Sequence, residues 1–185
     1  SPELLECFAH ITGIGNLIPD DELVGGGLHV MSSGSHLDVH VDFNLIEDRQ
    51  LHRRLNVLLF LNPGWQSDWG GELELWDKDV KTCERRFTPI FNRLVLFETS
   101  GISFHGVCKV RTPADTDRRS FAAYYYTETR EDWDGNVHST VFRARPDEVF
   151  RGAVLMPLER IRRELIPTAT HTAKQVVKKL IRRQP

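Results

Sequence analysis

The sequence predicts a mainly β domain, a barrel or sandwich, with helices on its flanks. Between Gly25 and Thr127 short apolar runs alternate with clusters of turn-forming residues, such as Asn62-Pro63-Gly64 and Gly70-Gly71. Short strands separated by frequent turn signals are typical of all-β architectures. Apolar residues make up 40% of the 185 residues, which is ordinary for a globular chain of this length. We therefore expect a single domain over 1–185 with a barrel core at about 25–127.

The chain begins with the signals of a helix start. Ser1 is a capping residue, Pro2 suits the first turn, and Glu3 places an acid near the positive end of the helix dipole. We expect this helix to pack on the outside of a sheet through an apolar face made of Leu4, Leu5 and Phe8. The first barrel strand should follow at about 28–31.

The C-terminal part is predicted to be helical and basic. Helices are expected at about 158–165 and 171–183, separated by Pro167. From 158 to 185 eight Lys or Arg stand against two Glu, a net charge of +6, which leaves −8 on 1–157 because the total is −2. A basic tail can mark nucleic-acid contact, but this one holds no aromatic residue to stack on bases. We interpret it as a solvated amphipathic segment and expect no nucleic-acid partner.

Three cysteines, Cys7, Cys83 and Cys108, show no metal-binding or disulfide spacing. Free thiols are typical of a reducing compartment, so a cytoplasmic location is expected. The sequence contains no apolar run of membrane-spanning length and no signal-peptide pattern, and we expect no membrane partner. The oligomeric state stays open.

The triplet His40-Val41-Asp42 carries the strongest chemical signal. Side chains alternate along a strand, so His40 and Asp42 point to the same face and can bind one metal ion. From 37 to 43 the odd positions are apolar and should pack in the core, which turns the even positions toward a polar cavity. His105, early in a second apolar strand, is the candidate third ligand. Two imidazoles and one carboxylate leave one face of an octahedral ion open, as in non-haem Fe(II) oxygenases.

The other histidines are not expected to bind this ion. His36 shares the face of His40, but four extended residues separate the two by roughly 13 Å. The remaining ones lack partners at ligand spacing and should have ordinary surface or core roles: His10, His29, His52, His138 and His171.

Six stretches match the motif order and spacing of one known family: His40-x-Asp42, residues 54–62, residues 69–73, residues 92–97, His105-Gly106-Val107 and Arg118-Arg119-Ser120. On these stretches the sequence from about 25 to 127 resembles the Fe(II)- and 2-oxoglutarate-dependent dioxygenases of the prolyl 4-hydroxylase-like branch. The resemblance implies a double-stranded β-helix in which the metal-binding and catalytic residues are His40, Asp42 and His105. It also implies Fe(II) as cofactor and 2-oxoglutarate and O2 as co-substrates, and it allows a supporting role for ascorbate.

The resemblance further implies that Arg118 binds the distal carboxylate of 2-oxoglutarate. Arg118 is preferred to Arg119 because the arginine of the family lies two positions before a small residue, here Ser120. Strand alternation then points Arg118 and Ser120 inward together and Arg119 outward.

Two positions depart from the family pattern. Family members often have a tyrosine where this chain has Phe60, and a second polar contact expected near Val30 is missing. We therefore expect Arg118 and Ser120 to carry most of the co-substrate binding. Asn56 shares the strand parity of Phe60 and is a candidate additional contact.

Glu72 and Glu74 alternate with Leu73 and Leu75, and both acids are expected to face solvent. If either instead lines the mouth of the cavity, it could select a cationic substrate.

The function predicted from these features is an oxygenase that hydroxylates an unactivated carbon of an amino acid, a peptide residue or a small metabolite, with release of succinate and CO2. The alternative is a non-catalytic, cupin-like metal-binding or sensing module. His40, Asp42 and His105 would serve both, whereas Arg118 is required only by the oxygenase. The catalytic residues leave the primary substrate and the position of oxidation open.

Overall fold

The computed structural model describes residues 1–148, which consist mainly of short β-strands. One helix, α1, spans Pro2–Thr12, and a 3-10 turn spans Ser67–Trp69. The strands are β1 (Ile18–Pro19), β2 (Gly27–Met31), β3 (Leu37–Val41), β4 (Leu45–Ile46), β5 (Leu51–Phe60), β6 (Leu73–Trp76), β7 (Cys83–Phe87), β8 (Leu94–Glu98), β9 (His105–Val107), β10 (Arg118–Thr127) and β11 (Val141–Arg143).

Every element above belongs to one compact unit, Ser1–Pro146. The expected single domain over 1–185 stays a prediction. The helices expected at 158–165 and 171–183, and the basic tail, lie outside the described residues.

The strands form two antiparallel sheets. In the major sheet the order is β1-β10-β5-β4, with β2 also paired to β10 and β8 to β5; in the minor sheet it is β11-β3-β9-β6-β7. The two sheets pack together through Phe60 and Val95 of the major sheet and Leu73 of the minor sheet, all buried. This two-sheet architecture confirms the predicted mainly β fold of the double-stranded β-helix type.

Helix α1 covers the outer face of the major sheet. Phe8 packs edge-to-face on Tyr125 of β10, with ring centroids 5.4 Å apart, beside the buried Leu55 of β5. The helix ends at Gly13, whose φ of 73° is a left-handed conformation that glycine adopts without strain. The predicted helix and its packing role are confirmed, except that Leu4 is exposed.

Strand β3 shows the predicted alternation. Val39 and Val41 are buried against Val80 and Phe104 on one face of the minor sheet, and the intervening His40 points to the opposite face. Leu37, at the start of the strand, is exposed. Alternation therefore orients His40 as predicted, although it does not bury the whole strand.

Strand β11 was not predicted. The sequence of this region indicates only a turn at Asp134-Gly135-Asn136, whereas the structure adds Val141–Arg143 to the edge of β3. The three cysteines are free thiols, as predicted. Among residues 1–148 no helix is both long enough and apolar enough to cross a membrane.

Candidate functional site

Three predicted ligands lie together. His40 Nε2 is 3.6 Å from one carboxylate oxygen of Asp42, and His105 Nε2 is 3.4 Å from the other. His40 and His105 are directly opposite each other on β3 and β9, with ring centroids 4.3 Å apart. The three donor atoms all lie within 4.8 Å of one another. This spacing allows one ion to contact all three residues.

The backbone sets the orientation of both imidazoles. His40 Nδ1 lies 2.8 Å from the carbonyl oxygen of Asp38, and His105 Nδ1 lies 3.0 Å from that of Ser103. A carbonyl oxygen only accepts, so each Nδ1 carries the proton and each Nε2 presents its lone pair toward Asp42. Burial lowers the pKa of His105 to about 4, so this imidazole is neutral at pH 7, the form that binds metals.

Asp42 is ionised. Burial by itself would raise the pKa of Asp42, but the guanidinium of Arg53, 3.0 Å away, holds it well below its usual range. The site therefore offers one anionic ligand beside two imidazoles, the donor set that suits a divalent iron ion.

Arg53 and Asn56 both bind the carboxylate of Asp42. Arg53 Nη2 lies 3.0 Å from Asp42 Oδ2, and Asn56 donates a 2.8 Å hydrogen bond to the same oxygen. Arg53 also donates to Asn56 Oδ1 through Nε and Nη2, at 3.0 and 2.8 Å. Its guanidinium lies over the ring of Tyr124, 3.6 Å from the centroid. Arg53 is thus an additional functional residue, one that sequence reasoning missed.

A bulge in the pairing of β5 with β10 explains why Arg53 was missed. Strict alternation would place Arg54, not Arg53, on the face of Asn56. In the structure Tyr125 pairs with Leu55 and Tyr126 with Arg53, so the register shifts by one residue at Arg54. No local sequence signal marks this shift.

The predicted contact of Asn56 with 2-oxoglutarate stays a prediction. The structure engages both atoms of its side-chain amide, the nitrogen with Asp42 and the oxygen with Arg53.

Arg118 and its hydrogen-bond partners form a second buried polar cluster. Its Nε donates a 2.6 Å hydrogen bond to the carbonyl of Gly71, its Nη1 donates to Ser120 Oγ at 3.3 Å, and its guanidinium lies 5.1 Å from the centroid of the Phe60 ring. Nη2 is buried and has no hydrogen-bond partner within the described part of the chain. Burial lowers the pKa of Arg118 to about 10, so the group stays charged at pH 7. A buried cation with an unused donor matches a carboxylate ligand.

The strand orients this cluster as predicted. Arg118 and Ser120 are buried, and Arg119 is exposed. Gly71 permits the close approach of Arg118: a Cβ at position 71 would meet Arg118 Cδ at 3.0 Å, and its φ of +71° is strained for other residues. This contact gives a physical reason for the second glycine of the 69–73 stretch.

The expectation that Glu74 faces solvent was wrong. Glu74 is 1% exposed and forms ion pairs with Arg145, at 2.8 Å, and Arg86, at 3.2 Å. Arg145 follows β11, so its arrival over β6 could not be read from the alternation of residues 72–75. Glu72 is half-buried.

His36 pairs with Asp38 at 3.2 Å and takes no part in the cluster of His40, Asp42 and His105. His52 packs edge-to-face on Trp133, with centroids 4.6 Å apart. Both histidines therefore lie outside the cluster of His40, Asp42 and His105.

Two imidazoles and a carboxylate in a fold of two antiparallel sheets, with a buried arginine on β10 of the other sheet, are typical of the class of non-haem Fe(II) oxygenases. Residues 26–127, more than half of the chain, match the 2OG-Fe(II) oxygenase superfamily, and the chain belongs to this family. The cofactor of this family is Fe(II), and its co-substrates are 2-oxoglutarate and O2. Family membership confirms the predicted oxygenase class and disfavours the cupin-like alternative.

Individual relatives match shorter stretches. The chain is 38% identical to prolyl 3-hydroxylase OGFOD1 of Mus musculus over 90 residues, covering 46% of this chain and 16% of the relative. It is 36% identical to the same enzyme of Xenopus laevis over 76 residues, covering 38% and 15%. The matched stretch thus spans less than a fifth of either relative.

Among solved structures, a Trichoplax adhaerens prolyl hydroxylase in complex with a hypoxia inducible factor peptide fragment is 27% identical. It aligns with a TM-score of 0.46 over 69% of this chain and 56% of that one.

Proposed function

We propose that this chain is a 2-oxoglutarate-dependent hydroxylase in which His40, Asp42 and His105 bind Fe(II). The observation that carries the proposal is the convergence of the three donor atoms within 4.8 Å, with both Nε2 atoms directed at Asp42. The residues fit the metal because neutral imidazoles and an ionised carboxylate are the protonation states that ligands require.

We propose that Arg118 and Ser120 bind the distal carboxylate of 2-oxoglutarate. The unused Nη2 of Arg118 and the neighbouring Ser120 hydroxyl are two donors on one buried face. Phe60 offers its ring to the guanidinium and adds no competing acceptor. The planar fork of arginine matches a carboxylate in a way that lysine cannot reproduce.

When bound, Fe(II), 2-oxoglutarate and O2 supply the oxidation itself, which yields succinate, CO2 and a hydroxylated carbon. The protein holds the reacting groups in position and excludes water from the site. Asp42 offsets positive charge, and Arg53 and Asn56 fix its rotamer. The rings of Phe97, 4.9 Å from His105, and Phe142, 5.3 Å from His40, exclude water from one side of each imidazole.

For the substrate we propose a peptidyl residue, with proline as the first candidate. The support is the sequence identity of 38% and 36%, over 90 and 76 residues, to relatives named as prolyl 3-hydroxylases. A cytoplasmic location and the absence of nucleic-acid and membrane partners stay predictions.

The test is turnover by the Fe(II)-loaded protein with a panel of proline-containing peptides. Succinate formation and the mass gain of one oxygen atom on the peptide are measured together. The wild type should give both in equal amounts, and Asp42→Ala should give neither because the ion loses its anionic ligand. If Asp42→Ala formed succinate at the wild-type rate, the metal assignment would be contradicted. Succinate formation without a modified peptide would contradict the substrate class.

A further inference from the structure

A segment outside the family-matched stretch closes the edge of the sheet that carries His40. The match ends at residue 127, and β11, Val141–Arg143, pairs antiparallel with β3 beyond it. In the order β11-β3-β9-β6-β7, β3 would be the edge strand if β11 were absent. An edge strand has unpaired backbone groups on one side, which is a poor support for a metal ligand that must keep one geometry.

The pairing places an aromatic ring against the imidazole. Phe142 lies directly opposite His40 on β11, and His105 lies directly opposite it on β9. The rings of Phe142 and His40 are 5.3 Å apart and tilted by 32°, and those of His40 and His105 are 4.3 Å apart. Directly opposed residues of antiparallel strands share a face and form the stabilising contacts of a sheet. The His40 imidazole is therefore held between two rings in one row across the sheet.

The N-terminal end of this segment is fastened beside the metal-binding triplet. Asn44, two residues after Asp42, donates from Nδ2 to the carbonyl of Asn136 at 2.8 Å. Its Oδ1 accepts from the backbone N–H of His138 at 3.0 Å. The Asn44 side chain thus connects the segment to the residues that directly follow β3.

The C-terminal end is fastened by Arg145. It forms the ion pair with the buried Glu74 and donates from Nη2 to the carbonyls of Leu37 on β3, at 3.0 Å, and Val107 on β9, at 3.1 Å. Gly106 makes room for this contact, because a Cβ there would approach Arg145 Nη2 to 3.1 Å. Arg145 therefore joins the two strands that carry the histidine ligands.

We propose that residues 136–145 form a positioning strap that holds the His40 imidazole in its metal-binding orientation, with Phe142 as its contact residue and Arg145 as its anchor. The strap touches His40 by ring packing and touches the ligand-bearing strands by hydrogen bonds. The proposal rests on the proposed metal site and adds to it a segment that the family match does not contain.

The test measures Co(II) binding, without substrate or turnover, by the absorption of the bound ion. Phe142→Ala is compared with Val141→Ala, whose side chain is exposed on the same strand, and Arg145→Gln is compared with Arg143→Gln. Loss of a residue that supports a ligand weakens metal affinity about 10- to 100-fold. We expect a rise of about tenfold in the Co(II) dissociation constant for Phe142→Ala and Arg145→Gln. The two controls should stay within about twofold of the wild type, as surface substitutions do.

A second readout separates support of His40 from general loosening of the fold. In the Co(II)-loaded protein each bound imidazole gives its own shifted Nδ1–H proton resonance. Phe142→Ala should speed solvent exchange of the His40 resonance and leave that of His105 unchanged, and Phe142→Leu, which keeps apolar bulk, should restore most of the affinity. Circular dichroism and thermal unfolding verify that each variant folds. If Arg145→Gln does not fold, the comparison of Phe142→Ala with Val141→Ala tests the proposal.

Wild-type Co(II) affinity and an unaltered His40 resonance in Phe142→Ala would overturn the strap. A change confined to the KM for peptide would also overturn it, because Phe142 would then contact substrate. Failure of the wild type to bind Co(II) has a different meaning: it would reject the metal site on which the strap depends.

Discussion

Two Arg-Arg pairs lie on neighbouring strands of the major sheet, Arg53-Arg54 on β5 and Arg118-Arg119 on β10. In each pair the first arginine is 2% exposed and the second faces outward, toward Glu98 for Arg54 and solvent for Arg119. The buried members differ in what meets their charge. Arg53 has an internal carboxylate 3.0 Å away, whereas among residues 1–148 the hydrogen-bond partners of Arg118 are all neutral and its Nη2 has none.

The presence or absence of an internal counter-charge distinguishes a structural buried cation from a ligand-binding one. A buried charge with an internal counter-charge, like Arg53, is part of the fold, and removing it leaves the partner uncompensated. A buried charge without one is disfavoured by desolvation, which is why the pKa of Arg118 falls to about 10. Within residues 1–148 Arg118 forms no ion pair, and under the proposed function a carboxylate of the co-substrate would supply the counter-charge.

Replacing Arg53 is the most disruptive way to test this comparison. Arg53→Ala removes the partner of the buried Asp42, and breaking a buried pair typically costs about 3–5 kcal/mol. Urea unfolding of the metal-free protein should show a loss in the free energy of unfolding of this order. Arg54→Ala, whose pair with Glu98 is partly exposed, should lose less than about 1 kcal/mol. Equal losses in the two variants would contradict the structural assignment of Arg53.

Arg118→Ala should act on binding more than on folding. We expect the 2-oxoglutarate dissociation constant to rise by about one to two orders of magnitude, or about 1.4–3 kcal/mol, because a charge-assisted contact is lost. Calorimetric titration of the metal-loaded protein measures it, with Arg119→Ala as the matched control. A large loss in Arg119→Ala and none in Arg118→Ala would reverse the assignment.

His105 is a third buried ionisable side chain, and it is neutral in the folded protein at pH 7. Its folded-state pKa of about 4 lies below the unfolded value, so between these values the unfolded chain binds more protons. Stability of the metal-free protein should therefore fall as pH falls from about 6.5 toward 4, by about 2 kcal/mol between pH 7 and pH 5. Urea unfolding at the two pH values measures it. His105→Gln should show a correspondingly flatter dependence, and the same slope in both proteins would exclude His105 as the cause.

Ser120→Ala should have the smallest effect. It removes one hydroxyl donor beside Arg118, and a single hydrogen bond contributes about 0.5–1.5 kcal/mol. We expect a two- to tenfold rise, roughly, in the 2-oxoglutarate dissociation constant in the same titration. No change at all would indicate that Arg118 binds the carboxylate without help from the Ser120 hydroxyl.

The sequence by itself determined the parts of the site that depend on local geometry. The period of two along a strand orients His40 with Asp42, and Arg118 with Ser120, wherever the strand is placed. The start of α1 at Ser1-Pro2-Glu3 is local in the same way. For these elements the prediction and the structure agree because the deciding interactions lie within a few residues.

The residues that support the site are brought into place by tertiary contacts. The bulge at Arg54 moves Arg53 onto the face of Asn56, and it arises from pairing with β10, more than 70 residues away in the chain. Glu74 is buried because Arg145 covers it, at a similar separation in sequence. Alternation states which side chains share a face, but which segment covers that face is a property of the packed chain. The free energy of burying Glu74 and Arg53 depends on partners that the sequence does not place beside them.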